Sequence, residues 1–199
     1  MNSNSKSKVA IAVVLAISLF AAGCSAQWIS VALADLPVLT QMALNIATLV
    51  AALQSGKQIS PAEAAAIQNI SNEASKDLNL LLMLYNQYEA NPSASTIQKI
   101  ENVIGDINQT LPSLLQAAHL SNPTLAARVA AGVNLILTTV SSFAALIPQT
   151  PAPSTAQRTA RREVAIPHAK DLKKQWNQQV CTPTGNSAFD SSFALCALR

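Results

Sequence analysis

Between residues 28 and 147 apolar side chains recur at alternating steps of three and four, and this periodicity decides the fold class. Leu39, Met42, Ile46, Leu49 and Leu53 fall on one stripe. A second runs Ile67, Ile70, Ala74, Leu78, Leu81, Tyr85 and Tyr88. The third comprises Ile97, Ile100, Ile104, Ile107, Leu111, Leu114 and Ala118, and the fourth Leu125, Val129, Val133, Ile136, Val140, Phe143 and Ile147. Each repeats about every 3.5 residues, the period of helices that pack knobs into holes, whereas a half-buried strand alternates by two. A single amphipathic helix cannot bury its own stripe. Four of them predict an all-α, up-down-up-down antiparallel four-helix bundle over residues 24–147, followed by a basic C-terminal tail containing a short helix.

Boundary signals agree with the stripes. Gly56 follows the first as a C-cap. Ser60-Pro61-Ala62-Glu63 joins an N-cap serine, a proline at the first helical position and a capping-box glutamate. Asn91-Pro92 ends the second helix, Ser95-Thr96-Ile97-Gln98 offers a capping box to the third, and Asn122-Pro123 opens the fourth after the turn His119–Ser121. Helices of about 23 to 30 residues are about 35 to 45 Å long, and the short connections force neighbours antiparallel. Two prolines mark irregularities. With Asp35 as a local cap, Pro37 would separate residues 28–34 as a short helix of their own, and Pro112 would kink the third helix near its end.

Composition removes other classes. Aromatics at 4% and five glycines in 199 residues argue against a β-sandwich or a nucleotide-cradling loop. A net charge of +3 is too small for the basic field of a nucleic-acid binder, so no nucleic-acid partner is expected. There is no Cys-x-x-Cys spacing, His119 and His168 stand alone, and no phosphate-loop, dinucleotide or zinc-protease motif occurs. Glu73 and Asp77, beside Lys76, read as a solvated face, and Tyr85 and Tyr88 as packing. The chain is therefore expected to hold no metal or cofactor and to carry no catalytic residue.

The first residues belong to targeting. Met1 to Lys8 is polar with two lysines, Val9 to Phe20 is an uncharged apolar run of 12 residues, and small residues follow. The run is shorter than the ~20 residues of a spanning helix. It ends in Ala21-Ala22-Gly23-Cys24, which resembles the lipobox of bacterial lipoproteins. The resemblance implies a signal peptide over residues 1–23, cleavage before Cys24, acylation of Cys24 Sγ, and a membrane attachment through lipid in a bacterial cell envelope. Ser25, where aspartate would retain such a protein in the inner membrane, implies the outer membrane by the same family analogy. With Cys24 acylated, Cys181 and Cys196 remain as an even pair in an oxidising compartment, and a disulfide between them is expected; two free thiols are the alternative.

Composition changes again after the fourth stripe. Pro148, Pro151 and Pro153 mark a linker over residues 148–157. Residues 24–147 hold four basic and seven acidic residues, whereas 148–199 hold seven basic and three acidic. The tail over residues 158–199, with Arg158, Arg161, Arg162, Lys170, Lys173 and Lys174, would meet anionic headgroups or the bundle's own acids, or stay solvated. Ala169, Leu172, Trp176 and Val180 share one helical face that docks on the bundle or on lipid. The functional expectation is a lipid-anchored, non-enzymatic interaction or structural module with an envelope protein as partner, the identity of any small-molecule ligand being open. The alternative is a membrane-inserting, pore-forming type of helical protein, because Val129 to Ile147 holds 19 residues without a charge.

Overall fold

The computed structural model describes residues 3–56, 58–147, 168–185 and 187–199, with the side chains of residues 3–27, 55, 188 and 189 outside the description. The described chain is all-helical. Its helices are α1 (Ser3–Ser55), α2 (Pro61–Ala90), α3 (Ala94–Ala117), α4 (Pro123–Leu146), α5 (Ala169–Gln179) and α6 (Ser187–Leu195). The linker at residues 148–157 and the arginines 158, 161 and 162 lie outside the described residues.

Caps explain where the helices start. Glu63 N–H donates to Ser60 Oγ at 3.2 Å and Ser60 N–H donates to Glu63 Oε2 at 2.9 Å, a reciprocal capping box ahead of Pro61. Asn122 Oδ1 accepts from Leu125 N–H at 3.0 Å and starts α4. At α3 the cap is Ser93 rather than Ser95. Pro92 leaves Ser93 in the extended conformation a cap requires, its Oγ accepts from Thr96 N–H at 3.2 Å, and Ser95 falls inside the first turn. His119 turns the chain between α3 and α4 with a left-handed φ of 43°.

The apolar stripes form one core. Ile97 and Leu114 are half-buried at its edge, and every other stripe residue is buried. α1 packs on α2, α2 on α3, α3 on α4, and α4 returns to α1, a closed ring of neighbours around the shared core. Pro37 does not divide α1. Its missing N–H leaves one carbonyl of the ladder without a donor, but Leu36, Leu39, Met42 and Ala43 around it are fully buried, and packing carries the helix through.

The segment after the linker is more ordered than a tail with one short helix. α5 lies against α1 and α4, with Leu172, Trp176 and Val180 buried, so its apolar face docks on protein. α6 follows and packs on α1. Trp176 reaches the bundle over Gly132 of α4, where an added Cβ would stand 3.0 Å from Trp176 Cζ3. Gly105 of α3, by contrast, faces open space.

These two glycines separate packing from helix propensity. Gly105→Ala is expected to raise stability by about 1 kcal/mol, the usual gain of alanine over glycine within a helix. Gly132→Ala should lower it despite the same gain, because overpacking against a pinned ring costs about 1 to 3 kcal/mol. Urea unfolding of the two variants measures both signs, and a stabilised Gly132→Ala would contradict the docking of α5 described here.

Candidate functional site

α1 presents polar side chains at Asp35, Gln41 and Asn45 as well as its apolar stripe, and α5 and α6 gather on that polar side. Gln41 Nε2 donates to Asn45 Oδ1 at 3.0 Å, and Asn45 Nδ2 donates to the Cys196 carbonyl at 2.9 Å. Trp176 Nε1 donates to the same carbonyl at 2.8 Å, so one oxygen ties α1 and α5 together inside the molecule. A disulfide joins Cys181, just beyond α5, to Cys196, just beyond α6, with Cα atoms 5.8 Å apart. It closes a short loop and thereby holds that carbonyl where its two donors converge.

The last residues are fastened by more bonds. The Asn177 amide pairs with the Leu198 backbone in both directions at 2.8 Å, and Lys173 Nζ donates to the Arg199 carbonyl at 2.8 Å. Arg128 of α4 donates to the Gln179 carbonyl at 2.7 Å and to the Thr182 carbonyl at 3.1 Å, serving the exposed C-terminus of α5, and lies 5.7 Å from the Phe193 ring centre. An open cleft borders this clasp, lined by Pro37, Val38, Lys173, Leu195, Leu198 and Arg199.

Asp35 does cap a helix, but not its own. It sits in the middle of α1, 1% exposed, and its carboxyl takes the Ala169 amide at the N-terminus of α5, where the His168 side chain supplies no cap. Its Oδ2 has no partner among the described residues. Burial pushes its pKa from 3.8 up to about 6, against the pull of the Ala169 amide and the nearby His168 charge. Glu63 goes the other way. Its carboxylate takes the Ser121 hydroxyl and amide at 2.7 and 2.8 Å in addition to the Ser60 cap, and these bonds hold its pKa down at about 2. Glu63 thus ties the α1–α2 turn to the α3–α4 turn at one end of the molecule.

The other end is aromatic. Trp28 meets Tyr85 and Tyr88 with ring centres 5.5 and 5.6 Å apart, and Tyr85 meets Phe143 at 6.3 Å. Trp28 Nε1 and Tyr85 Oη are buried without a partner among the described residues, and burial drives the Tyr85 phenol above its ordinary range. Cys24 lies within the backbone of α1, and its thiol is outside the described residues.

Among the described residues no group of three or more His, Cys, Asp or Glu could hold a metal ion. His119 stands exposed in its turn and His168 exposed at the start of α5. Trp28–Gln54 and Pro123–Leu146 are each long and apolar enough to cross a membrane, and half of each is buried inside the fold. Comparison with family models, with curated proteins and with solved structures finds no match to the chain.

Two measurements probe the clasp. Opening the Cys181–Cys196 loop by reduction, or by Cys181→Ser, should cost the α5–α6 unit about 3 kcal/mol on chain-entropy grounds and expose it to proteolysis before α2 and α3; unchanged protease resistance would contradict the assignment. For Asp35 the folded pKa lies above the unfolded one, so its contribution is complete below pH 3.8 and is lost as pH rises through about 6. Asp35→Asn keeps an acceptor for the Ala169 amide, and should therefore raise stability at neutral pH and flatten the urea-unfolding profile across that window. Glu63 acts lower. Its contribution is present above pH 4.5 and fades as pH falls toward about 2.

Proposed function

We propose that the chain is a lipid-anchored protein of a bacterial envelope that works as a non-enzymatic interaction or structural module. In this reading residues 1–23 are removed, Cys24 is acylated, and α1 to α4 run up-down-up-down as an antiparallel four-helix bundle carrying the C-terminal α5–α6 unit. Acyl chains concentrate a rigid helical surface at the membrane, where it engages another envelope protein. The observation that carries the reading is Ala21-Ala22-Gly23-Cys24 at the end of an apolar run, four residues ahead of the core residue Trp28. What supports the module class is a core shared by four helices with its polar groups spent on fastening the chain to itself. The oxidised Cys181–Cys196 pair suits an exported protein.

Growing cells with a fatty-acid analogue should label the native chain and leave Cys24→Ala unlabelled; equal labelling of both removes the anchor.

A second reading, insertion of α1 and α4 into lipid, is favoured by the length and hydropathy of Trp28–Gln54 and Pro123–Leu146. Against it, insertion would strip Asp35 and Asn45 of their partners on α5 and beside α6 and leave polar groups facing hydrocarbon. Alkaline-carbonate extraction of Cys24→Ala separates the two. Release into the aqueous phase is expected, and retention with the membrane would favour insertion.

A further inference from the structure

We propose that the molecule stands end-on at a lipid surface, with no long spacer between anchor and fold and with its Trp28–Tyr88 end and the Asn91–Ser95 turn against the headgroups. The proposal rests on the reading of Cys24 as acylated, and adds to it how the folded part meets the bilayer.

The first argument is the register of α1. In the uncleaved chain the helix runs from Ser3 to Ser55 with Ser25, Ala26 and Gln27 helical, and after cleavage only these three residues separate Cys24 from Trp28, a span of at most about 14 Å even when extended. Trp28, Ile29 and Ala32 already belong to the core. At 1.5 Å per residue the Cα of Trp28 stands about 6 Å along the axis from that of Cys24. The headgroup layer of one leaflet is about 5 to 8 Å thick. A thiol carrying its acyl chains in the hydrocarbon therefore places the Trp28 layer directly on the headgroups.

The second argument is the chemistry of that end, which does not depend on Cys24. Trp28 packs on Tyr88, and three residues beyond Tyr88 the chain turns through Asn91, Pro92, Ser93, Ala94 and Ser95. From Ala90 to Gln98 no residue is charged, and Asn91, Pro92 and Ser95 are exposed. This surface of small and amide side chains over an aromatic layer meets the polar zone of a bilayer, and the exposed Glu89 and Lys99 that flank it stay at the level of the headgroup charges. The far end, where Glu63 joins the turns before α2 and before α4, is carried about 45 Å outward by the 30 residues of α2.

The test uses the acylated full chain with its disulfide intact, so that an introduced thiol is the one site available to a maleimide donor. Donors at Ser95→Cys and Ala62→Cys, both exposed, are compared on vesicles of phosphatidylethanolamine and phosphatidylglycerol bearing a headgroup-linked acceptor. Transfer from Ser95→Cys should exceed that from Ala62→Cys several-fold, and a spacer of about ten Gly and Ser residues inserted after Ser25 should erase most of the difference. Equal transfer from both sites would show a side-on molecule and overturn the proposal. Weak transfer from both, with the protein still floating with the vesicles, would show a tethered molecule and overturn it equally. Intact mass keeps the two failures apart, because a chain without acyl mass removes the anchor itself and this proposal with it.

Discussion

Burial of the apolar stripe of α1 against α2 and α4 is the interaction on which the remaining structure depends, because α1 contacts every other helix except α3 extensively. Leu36, Leu39, Met42 and Leu53 are removed from water altogether. Each fully buried side chain of that size contributes about 1.5 to 3 kcal/mol relative to exposure. That stabilisation is large enough to run a helix through Pro37 and to hold a carboxylic acid, Asp35, out of solvent. The strain of burying Asp35 is then relieved by giving it the N-terminus of α5.

The polar side of α1 explains why the C-terminal segment is part of the fold. Asn45 and Trp176 converge on the Cys196 carbonyl, and the disulfide keeps α5 and α6 at the separation this convergence needs. Removing that unit would take the Cys196 carbonyl from Asn45 and the Ala169 amide from Asp35 and open both side chains to water, leaving Asn45 its bond from Gln41. A helix that looks membrane-like by hydropathy is thus committed to protein neighbours along its apolar stripe and along its Asp35–Asn45 side. The same polar groups would be a liability in lipid.

Much of this was legible in the residues. The stripes predicted the buried side of α1 to α4 nearly position by position, since a heptad leaves little freedom over which face is hidden. Ser60-Pro61-Ala62-Glu63 and Asn122-Pro123 marked helix starts because a cap is a local device. What escaped was non-local or a choice between near equals. Asp35 read as a local cap because nothing in its neighbourhood points to Ala169, far along the chain. Ser93 and Ser95 both suit a cap, and only the restriction that Pro92 imposes selects the first. α6 is nine residues long and carries no clear stripe, and it lies within the disulfide loop, where the carboxylate of its own Asp190 gathers the Thr184 and Gly185 amides. The candidate lipid site was read from a signal at the chain start, and its thiol lies outside the described residues.

The central claim is that protein covers both the apolar stripe of α1 and its Asp35–Asn45 side, with α5 and α6 as the cover of the latter, while Ala34, Pro37, Gln41, Leu44 and Thr48 face solvent. Hydrogen exchange of the Cys24→Ala chain in detergent-free buffer tests it most directly. The account predicts that amides of residues 29–53 and of α5 exchange as slowly as those of α2 and lose protection together in urea. Fast exchange over residues 29–53 and α4 beside a protected α2 and α3, or a chain that stays dispersed only in detergent, would contradict it.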